Sequence, residues 1–537
     1  MDLHFASVWE AISDEIPNRD ALVCGDVRRT WGEYDDRAAR IARFLQSRGL
    51  RPDGKAAIYL HNSNEYLEAQ YGIFKARGVS VNVNYRYKFD ELVYLLDNSD
   101  AEVVFFQACY AARIWEIRNR LPRVTTYIQV DDGTEALLPD VFDYEQVIRG
   151  NPPLDRMERP GDDIYMLYTG GTTGMPKGVM YHHHPFVFGL TAFLLGSRNA
   201  APKQVEDVPA VIRELSERGN QPISLTACPL MHGTGMWLGA MMPLLGGGTI
   251  VTISKLGLDP HLIWGEIERN RCTTVTIVGD AFARPMLDAL NDAGARSNPY
   301  DISSLKQIVS SGVMWSAEVK ERLLEYQDMS LLDTMGSTEG GLATSVSTRD
   351  NPVETARFRI NSGVRVFTED GRDVEPGSGE VGMLASGRTA AFGYYKDPEK
   401  SAETFREIDG IWYSFAGDWA TVEADGSITL LGRGSNCINT AGEKVYPEEV
   451  EEALKRHAEV YDCLVVGIDD ERFGQRVVAV TSARNPISEQ DLIDFAHGHL
   501  AGYKSPKRIV FVDEVRRAPN GKADYKWARS EAERALS

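Results

Sequence analysis

Short apolar runs separated by amphipathic stretches dominate the first 160 residues of the chain. Residues 56–60, 79–83 and 102–106 are mostly apolar, and stretches with apolar positions at helical spacing lie between them. Strands of a parallel sheet have this character because helices cover both of its faces. The pattern therefore predicts β-α-β units and a parallel sheet in this part of the chain.

The middle of the chain continues with strand-like runs whose ends carry small or polar residues. Residues 164–169, 307–310 and 331–335 are three such runs, and the last two lead into Ser311-Gly312 and Gly336-Ser337. In open α/β sheets, ligands bind outside the carboxyl ends of the strands. We therefore expect these strand ends to border one binding site. A charged stretch at 198–222 is predicted to be an excursion between elements.

The last third of the chain changes its pattern twice. Short strands and turns at 364–393 predict a small β subdomain, and the last hundred residues indicate a separate α+β unit. A helix should begin at Pro447, which stands before two glutamates. We expect an α/β protein with a large N-terminal domain of α/β subdomains at 1–432. A small, mobile C-terminal domain should follow at 433–537, with a hinge near residues 433–436.

The densest chemical pattern lies at Tyr168 to Gly178, which reads Y-T-G-G-T-T-G-M-P-K-G after an apolar strand. Glycines let backbone N–H groups approach an anion closely, while threonine hydroxyls and Lys177 supply further donors. The loop is not a Walker A sequence, because Pro176 precedes the lysine and Gly178 replaces the Ser or Thr that would hold magnesium. The pattern predicts a phosphate-binding loop of another kind, with a plain surface loop as the alternative.

Length and composition limit the kind of protein in which such a site can lie. A chain of 537 residues is too long for one core and predicts at least two domains. Its formal net charge of −20 argues against general affinity for nucleic acid. The six cysteines stand singly, which indicates reduced thiols and no zinc site. With no signal peptide and no apolar run near ~18 residues, we expect a soluble, cytoplasmic protein without a transmembrane segment.

Six ordered motifs carry a resemblance to a known family. They are the phosphate loop, a Gly-Ser-Thr-Glu segment, an aromatic run ending in aspartate, a Gly-Arg pair, a Pro-Glu helix start and a Gly-Lys pair, at residues 169–178, 336–339, 413–418, 432–433, 442–451 and 521–522. In this order, over essentially the whole chain, they resemble the acyl- and aryl-CoA synthetases of the adenylate-forming superfamily. Each motif is weak alone, but six in the right order are specific.

The resemblance implies a reaction in two steps that uses ATP, Mg²⁺ and CoA. A carboxylate attacks the α-phosphorus of ATP and expels pyrophosphate, and the CoA thiol then takes the acyl group from the acyl-adenylate. The small domain is expected to rotate between the steps. Lys522 should bridge the acid and the α-phosphate, which Thr338 should also contact. Glu339 should bind Mg²⁺, a task that suits a hard oxygen ligand.

The resemblance also implies a set of nucleotide contacts. Ser311, Gly312 and Asp333 should line the adenine slot. Asp418 should accept both ribose hydroxyls, which an ionised carboxylate can do, and Arg433 should contact ribose or phosphate. The full set expected to bind ATP is Thr169, Gly170, Gly171, Thr172, Thr173, Gly174, Lys177, Ser311, Gly312, Asp333, Gly336, Ser337, Asp418 and Arg433.

Three features depart from the family's usual pattern or allow two interpretations. Many members carry an acidic hinge residue where this chain has Asn436; asparagine tolerates unusual backbone angles, so a hinge there is still predicted. His232 occupies the place of an aromatic gate beside the CoA and acyl channels, and a packed or surface histidine is the alternative. The run His182-His183-His184 is assigned no metal, because adjacent residues of a helix do not face one ion.

Local sequence similarity also indicates which carboxylic acid the protein activates. The segments 228–235, 278–285 and 432–454 look most like the branch that acts on steroid side-chain carboxylates (3-oxocholest-4-en-26-oate) and related fatty acids. The residues expected to wall the acid pocket are His232, Trp237, Gly279, Phe282 and Met314, with plain core packing as the alternative. Small residues near Gly233 would leave room for a bulky acyl group.

Three function classes fit these motifs. An acid–CoA ligase is the first, and an adenylating enzyme that loads a carrier-protein thiol or another acceptor is the second. The third is a non-catalytic nucleotide-binding protein, against which the intact Lys177, Glu339 and Lys522 argue. A kinase or P-loop ATPase is excluded by the loop sequence. The expected partners are a carboxylic acid, ATP and CoA, with a homodimer as a family-level expectation and no nucleic acid.

Overall fold

The computed structural model describes residues 1–169, 175–387, 389–440, 443–470, 474–518 and 521–536, without the side chains of Ser435 and Lys444. Strands and helices alternate over the first 150 residues, as the sequence predicts. These elements are α1 (Phe5–Glu15), β1 (Asp20–Cys24), β2 (Val27–Thr30), α2 (Trp31–Ser47), β3 (Lys55–Tyr59), α3 (Asn64–Lys75), β4 (Val79–Asn82), α4 (Phe89–Asn98), β5 (Ala101–Gln107), α5 (Ala111–Ile117), β6 (Thr126–Val130), β7 (Phe142–Asp143) and α6 (Tyr144–Gly150).

The next two hundred residues continue the alternation and include a π-helix at Thr234–Met241. These elements are β8 (Ile164–Thr169), β9 (Lys177–His182), α7 (His183–Leu194), α8 (Val208–Glu217), β10 (Ile223–Thr226), α9 (Met242–Leu245), β11 (Thr249–Thr252), α10 (Pro260–Asn270), β12 (Thr274–Ile277), α11 (Gly279–Ala295), β13 (Gln307–Ser311), α12 (Ala317–Tyr326), β14 (Ser330–Ser337) and β15 (Gly340–Ser347).

A run of mostly short strands follows, and a small α+β unit ends the chain. The run comprises β16 (Arg357–Ile360), β17 (Val364–Phe367), β18 (Val381–Gly387), β19 (Ala391–Tyr394), α13 (Pro398–Thr404), β20 (Phe405–Ile408), β21 (Ile411–Ser414), β22 (Asp418–Val422) and β23 (Ser427–Arg433). The unit comprises β24 (Ile438–Thr440), β25 (Glu443–Val445), α14 (Pro447–Lys455), β26 (Val460–Asp470), β27 (Gly474–Ala483), α15 (Glu489–His499), β28 (Arg508–Phe511) and α16 (Tyr525–Leu536).

Four sheets organise the described residues. One is parallel throughout, in the order β4-β3-β5-β6-β7. The largest runs β2-β1-β11-β10-β12-β13-β14 and then turns antiparallel through β15, β16, β23, β22 and β18, where the predicted small β subdomain lies. A three-stranded sheet, β19-β9-β8, and the sheet of the small C-terminal unit complete the set. The predicted α/β class, with a large N-terminal part and a small C-terminal α+β part, is confirmed.

Local sequence explains several element boundaries. α2 begins with a capping box, because Thr30 and Glu33 each bond the other's backbone N–H. α3 ends at Lys75, and Arg77 rather than the neighbouring Gly78 takes the left-handed backbone, with φ of 59°. A Cβ on Gly78 would lie 3.0 Å from the Leu50 side chain. Close packing, and not a helix cap, therefore calls for this glycine.

The charged stretch at 198–222 is more ordered than a plain excursion. It contains α8, whose Val208 and Ile212 are buried in the main apolar cluster, where α8 packs against α1. Polar residues cover the exposed side of this helix, which is why the stretch has no long apolar run. No described helix is both long and apolar enough to cross a membrane.

The buried amide of Asn82 ties the first parallel sheet to the base of the phosphate loop. Its nitrogen donates to the carbonyls of Tyr168 and Met231 at 2.8 and 2.7 Å, and its oxygen accepts the Tyr168 N–H at 2.6 Å. Three backbone groups that water cannot reach are thus satisfied by one side chain. Asn82 fixes the end of β8 against the segment that carries His232.

We predict that Asn82→Ala lowers the free energy of unfolding by about 3 kcal/mol, because it leaves buried backbone groups without partners. The measurement is the midpoint of thermal unfolding. Asn199→Ala removes an amide of the same size from an exposed position and is the control. A midpoint for Asn82→Ala as high as that of the control would contradict the role given to this amide.

Candidate active site

The carboxyl ends of β13 and β14 lie side by side, as expected if both strand ends border one binding site. The two strands are parallel, with Ser310 beside Asp333 and Ser311 beside Thr334. Gly312 follows with φ of +92°, and the Thr234 hydroxyl is 3.6 Å from the position a Cβ would take. Ser311 and Gly312 thus border an open space at the sheet edge, together with the exposed Gly336.

Asp333, predicted to line the adenine slot, is already paired with a cation. Its carboxylate lies 3.0 Å from the Lys320 ammonium of α12, and both side chains are buried. Burial raises the pKa of Asp333, while Lys320 works in the opposite direction. The pair fixes α12 against β14 beneath the slot. This carboxylate therefore has a packing role that its sequence position does not show.

Thr338 and Glu339 form the tight turn between the antiparallel strands β14 and β15, where Ser337 pairs with Gly340. Two hydroxyls, from Thr389 and Ser414, donate to the Glu339 carbonyl at 2.6 and 3.1 Å. The turn is a strand hairpin, so the position of Glu339 does not arise from a preference of acidic residues for helix starts. Its backbone is fixed from outside the hairpin.

Further hydroxyls hold the same turn. The Tyr181 hydroxyl of β9 donates to the Thr338 carbonyl. The Tyr394 hydroxyl of β19 donates to Glu339 Oε1 at 2.6 Å. Both tyrosines belong to the three-stranded sheet, so this sheet holds the Thr338–Glu339 turn. Glu339 is almost fully buried, with 9% of its surface exposed.

Asp418 and Arg433 face each other across the strands β22 and β23. They are register partners, and the Arg433 Nε lies 3.3 Å from Asp418 Oδ1. Asp418 Oδ2 is buried and has no hydrogen-bond partner among the described residues. Burial raises the pKa of Asp418, and Arg433 opposes this rise. An unused oxygen beside a paired one is the acceptor that a vicinal diol would need.

Lys522 lies in the same cleft, although it belongs to the C-terminal unit. Desolvation by surrounding protein lowers its pKa, and Arg433 lowers it further, whereas Glu339 and Asp418 favour the charged form. Its side chain is nevertheless open to solvent, so it projects into a crowded but accessible space. The preceding Gly521, with φ of +71°, is packed so closely that a Cβ would lie 3.0 Å from Val278 and Ala281.

The arms of the phosphate loop are described, but its centre is not. Thr169 at the end of β8 pairs with Lys177 at the start of β9, and the Lys177 ammonium forms an ion pair with Asp397. The segment that follows β19 stays close to β9, because the Tyr395 N–H donates to the Gly178 carbonyl at 2.8 Å. The predicted contacts of Gly170, Gly171, Thr172, Thr173 and Gly174 lie outside the described residues.

The residues predicted to wall the acid pocket differ in their surroundings. Trp237 is half-buried, packs against Tyr181 and Phe186 at the edge of the main apolar cluster, and donates to the Tyr165 hydroxyl at 3.0 Å. Gly279 allows a close backbone approach, because a Cβ there would lie 2.4 Å from the Met314 carbonyl oxygen. These contacts favour the core-packing alternative for both positions, and their assignment to the acid pocket stays a prediction.

Phe282 and His232 lie nearer to open space. Phe282 lines a cavity of about 780 Å³ between the large domain and the C-terminal unit, together with Arg86, Tyr110, Lys255 and Gly521. His232 is half-buried at the cleft, where desolvation lowers its pKa to about 3 and the cations Lys522 and Arg86 add to the effect. Its imidazole is therefore neutral at physiological pH, as a gate residue beside cationic groups would be.

The predicted hinge region follows β23 directly. Residues 434–436 form one 3₁₀ turn that ends at Asn436. On the near side of this turn, a Cβ on Gly432 would lie 2.2 Å from a carboxylate oxygen of Glu448 on α14. The φ of +123° at this position also favours glycine, and the Glu448 carboxylate occupies the space that a side chain would take.

The three consecutive histidines point to three different places. His182 bonds the Asp162 carbonyl through its ring and stacks on Phe392. His183 stacks on His4, with ring centroids 3.8 Å apart, and the His184 ring accepts the Leu3 N–H at 3.1 Å. His182 ends β9 and His183 begins α7. The three residues therefore do not lie in one helix, contrary to the expectation from the sequence. Two of them hold the N-terminal segment in place.

Sequence reasoning missed Tyr394, Asp397 and Arg86. Tyr394 is 55 residues from Glu339, and no spacing rule connects a strand tyrosine to a hairpin carboxylate at that separation. The only local signal was the Lys-Asp-Pro helix start after two tyrosines, with Asp397 as the N-cap of α13. Arg86 stands in a loop whose position at the cavity depends on the packing of two sheets.

Comparison with known proteins agrees with this geometry. The sequence profile described as "AMP-binding enzyme" matches residues 9–395, and the profile "AMP-binding enzyme C-terminal domain" matches residues 449–522. The chain belongs to the AMP-binding enzyme family, whose members form adenylates. Two relatives cover nearly all of it: "3-oxocholest-4-en-26-oate--CoA ligase" of Rhodococcus rhodochrous, 38% identical over 99% of this chain and 96% of the relative, and "Medium/long-chain-fatty-acid--CoA/3-oxocholest-4-en-26-oate--CoA ligase" of Mycobacterium tuberculosis (strain ATCC 25618 / H37Rv), 40% identical with the same coverage.

Within that family the chain is an acyl-CoA ligase, and the predicted class is confirmed. Solved structures show the same fold. The anthranilate CoA ligase AuaEII in complex with anthranoyl-AMP has a TM-score of 0.84 at 24% identity, covering 100% of this chain and 98% of that one. ATP-bound MatB from Rhodopseudomonas palustris has a TM-score of 0.80 at 23% identity, covering 100% of both chains. ATP and CoA are the substrates of enzymes of this class.

The contact between the large domain and α14 gives a prediction about pH. Burial raises the pKa of Glu452 from its ordinary 4.5 to about 7; Asp280 of α11 and Glu451 add to the rise, whereas Lys455, 3.7 Å away, and Arg284 oppose it. The folded protein therefore retains a proton that an unfolded chain has lost. Folding becomes less favourable as the pH rises from about 4.5 to about 7, by at most about 1.4 kcal/mol per pH unit.

We predict that Glu452→Gln becomes progressively more stable than the unaltered protein between about pH 4.5 and about pH 7, with a constant difference above that range. Thermal midpoints of both proteins across the range measure the difference. Glu325→Gln, at an exposed position on α12, is the matched control and should show no such trend. A difference for Glu452→Gln that does not change with pH would rule out the buried proton.

Proposed function

We propose that this protein activates a carboxylic acid with ATP as an acyl-adenylate and then joins the acyl group to CoA. The observation that carries the proposal is the position of Lys522, which the C-terminal unit brings into one cleft with Glu339 and Asp418. In the first step the acid oxygen bonds to the α-phosphorus, and the bond from that phosphorus to pyrophosphate breaks. In the second step the CoA sulfur bonds to the acyl carbon, and AMP leaves.

The nucleotide is held by groups whose chemistry matches its parts. Asp418 offers an unpaired buried oxygen to the ribose hydroxyls, and Arg433 beside it favours the ionised carboxylate. Ser311, Gly312, Gly336 and Ser337 border the open edge where the base and the α-phosphate lie. We assign the β- and γ-phosphates to Lys177 and to the loop from Thr169 to Gly174.

Glu339 fits the role of a magnesium ligand. Mg²⁺ is usually held by one or two carboxylates together with substrate phosphates, and its ligands are oxygens. Here one carboxylate oxygen takes the Tyr394 hydrogen bond, which leaves the other for a cation. No cluster of three or more metal-binding side chains occurs among the described residues, which agrees with a metal that needs the phosphates to complete its shell. When bound, Mg²⁺ neutralises charge on the departing pyrophosphate.

Lys522 performs the central task of the first step. Its ammonium lies in a crowded cleft with two carboxylates and one guanidinium, so ATP and the acid carboxylate enter beside a preorganised positive charge. The acid and the α-phosphate are both anionic, and their approach requires a cation between them. Thr338, at the hairpin tip, adds a hydroxyl donor to the same phosphate.

The second step requires Lys522 to leave. We propose that residues 1–432 and 433–537 are the two domains and that the 3₁₀ turn at 434–436 is the hinge, with Asn436 as its pivot. Rotation about this turn withdraws Lys522 and opens the cavity that Arg86 and Lys255 line. These two cations suit the phosphates of CoA, and we assign the gate to the neutral His232, whose pKa both Lys522 and Arg86 lower.

The acid is proposed to be a fatty acid or a steroid side-chain carboxylate. The relatives that cover this chain almost completely are named for 3-oxocholest-4-en-26-oate and for medium- and long-chain fatty acids. Of the predicted wall residues, Phe282, His232 and Met314 stay assigned to the acyl side. The cytoplasmic location and the homodimer stay predictions.

A panel of carboxylic acids tests the function. With ATP, Mg²⁺ and CoA, a steroid side-chain acid or a fatty acid should give AMP, pyrophosphate and an acyl-CoA, whereas short and aromatic acids should react poorly. Omission of CoA should leave the acyl-adenylate bound to the enzyme. Formation of ADP in place of AMP, or AMP release that a carrier-protein thiol but not CoA supports, would contradict the proposal.

We predict that Lys522→Ala lowers the rate of adenylate formation by about 10²–10³, because it removes one preorganised charge from the transition state. The same variant should convert a supplied acyl-adenylate and CoA to acyl-CoA at a near-normal rate. Lys526→Ala, an exposed lysine on α16, is the control. Pyrophosphate release measures the first step, and a normal rate in Lys522→Ala would remove this residue from the mechanism.

A further inference from the structure

Tyr394 makes a direct contact with the active-site carboxylate, and the proposed function assigns this tyrosine no role of its own. It ends β19, and its hydroxyl donates to Glu339 Oε1 at 2.6 Å. Tyr394 is 8% exposed and Glu339 is 9% exposed, so water does not compete for this bond. Burial raises the pKa of Tyr394, and Glu339 raises it further. The phenol therefore keeps its proton and acts as the donor.

The contact differs in kind from the other bonds around the same turn. Tyr181, Thr389 and Ser414 all donate to backbone carbonyls of Thr338 and Glu339, so they fix where the turn lies. Tyr394 alone among these four hydroxyls donates to the carboxylate itself. A glutamate side chain has three rotatable bonds, and a fixed backbone does not fix its end. The Tyr394 hydrogen bond to Oε1 therefore restrains the end of the Glu339 side chain.

The strand that carries Tyr394 also holds the phosphate loop. Its backbone pairs with Val179 of β9, and the next residue, Tyr395, donates its N–H to the Gly178 carbonyl at 2.8 Å. Asp397, three residues after Tyr394, forms the ion pair with Lys177. One short segment therefore contacts both the loop proposed to grip the phosphates and the carboxylate proposed to hold their metal.

We propose that Tyr394 is a positioning residue that turns the Glu339 carboxylate toward the metal bound on the ATP phosphates. The inference rests on the assignment of Glu339 in the proposed function. By bonding Oε1, the phenol leaves Oε2 as the ligand and prevents the side chain from swinging away. By sharing a strand pair with Lys177, it keeps that ligand in a constant relation to the phosphate loop.

The test is the binding of metal in the absence of turnover. Tyr394→Phe removes the hydroxyl and keeps the ring, and calorimetry with ATP and no acid then measures the affinity for Mg²⁺. We expect that affinity to fall about tenfold, the usual size for losing a hydrogen bond to a charged group, while binding of ATP in EDTA stays unchanged. Unchanged Mg²⁺ affinity, or an equal loss of metal-free ATP binding, would overturn the proposal.

The neighbouring tyrosine supplies a matched control. Tyr395 donates its hydroxyl to Asp100 at 2.7 Å, away from Glu339. Tyr395→Phe deletes the same atom from the same segment, so it reports any general loosening of the strand. It should bind Mg²⁺ with ATP as the unaltered protein does. An equal loss of Mg²⁺ affinity in Tyr395→Phe would show that Tyr394 has only a structural effect.

A double substitution shows whether Tyr394 acts through Glu339. Glu339→Gln should weaken Mg²⁺ binding by itself, and adding Tyr394→Phe should weaken it no further. Additive losses would overturn the inference, because Tyr394 would then act elsewhere. The acid panel fails or succeeds independently of these binding measurements. A protein that binds Mg²⁺ as expected but makes no AMP would contradict the ligase function and leave the Tyr394 inference standing.

Discussion

Four charges in one cleft set the conditions for the rest of the structure. Asp418 and Glu339 supply two carboxylates, while Arg433 and Lys522 supply two cations. Asp418 and Glu339 are buried, and each would be costly there without the nearby cations. The set is balanced only when the C-terminal unit is in place. Removing Lys522 leaves the cleft with an excess of negative charge, in a chain whose formal charge is already −20.

The cleft is built where two sheets meet, and hydroxyl groups join them. The large sheet supplies the hairpin of Thr338 and Glu339, and the three-stranded sheet supplies Tyr181 and Tyr394. Hydroxyl donors suit this junction because they satisfy carbonyl and carboxylate oxygens without adding charge. A lysine or arginine in place of Tyr394 would neutralise Glu339 and compete with a metal. The hydroxyl contacts of the turn therefore leave the negative charge of Glu339 available for a ligand.

Much of this architecture could be predicted because the signals are local. Apolar runs predict the strands of the parallel sheets, and the order of the motifs alone assigns Glu339, Asp418 and Lys522 to one site. Side-chain partners across long separations could not be predicted. Asp333 bonds Lys320 on the neighbouring helix, and Trp237 packs against the aromatic rings of Tyr181 and Phe186. Local spacing decides which element forms, and packing decides which face of it meets the site.

The C-terminal unit docks against the large domain partly through buried glutamates of α14. Glu448 lies over Gly432, and Glu452 faces Asp280 and Arg284, with burial raising the pKa of both glutamates. An oxygen of each is buried and has no hydrogen-bond partner among the described residues. An apolar side chain at position 448 would dock more tightly, because burying a carboxylate oxygen without a hydrogen-bond partner costs free energy. The proposed rotation, in which this domain delivers Lys522 and then withdraws it, would be favoured by a contact of this weaker kind.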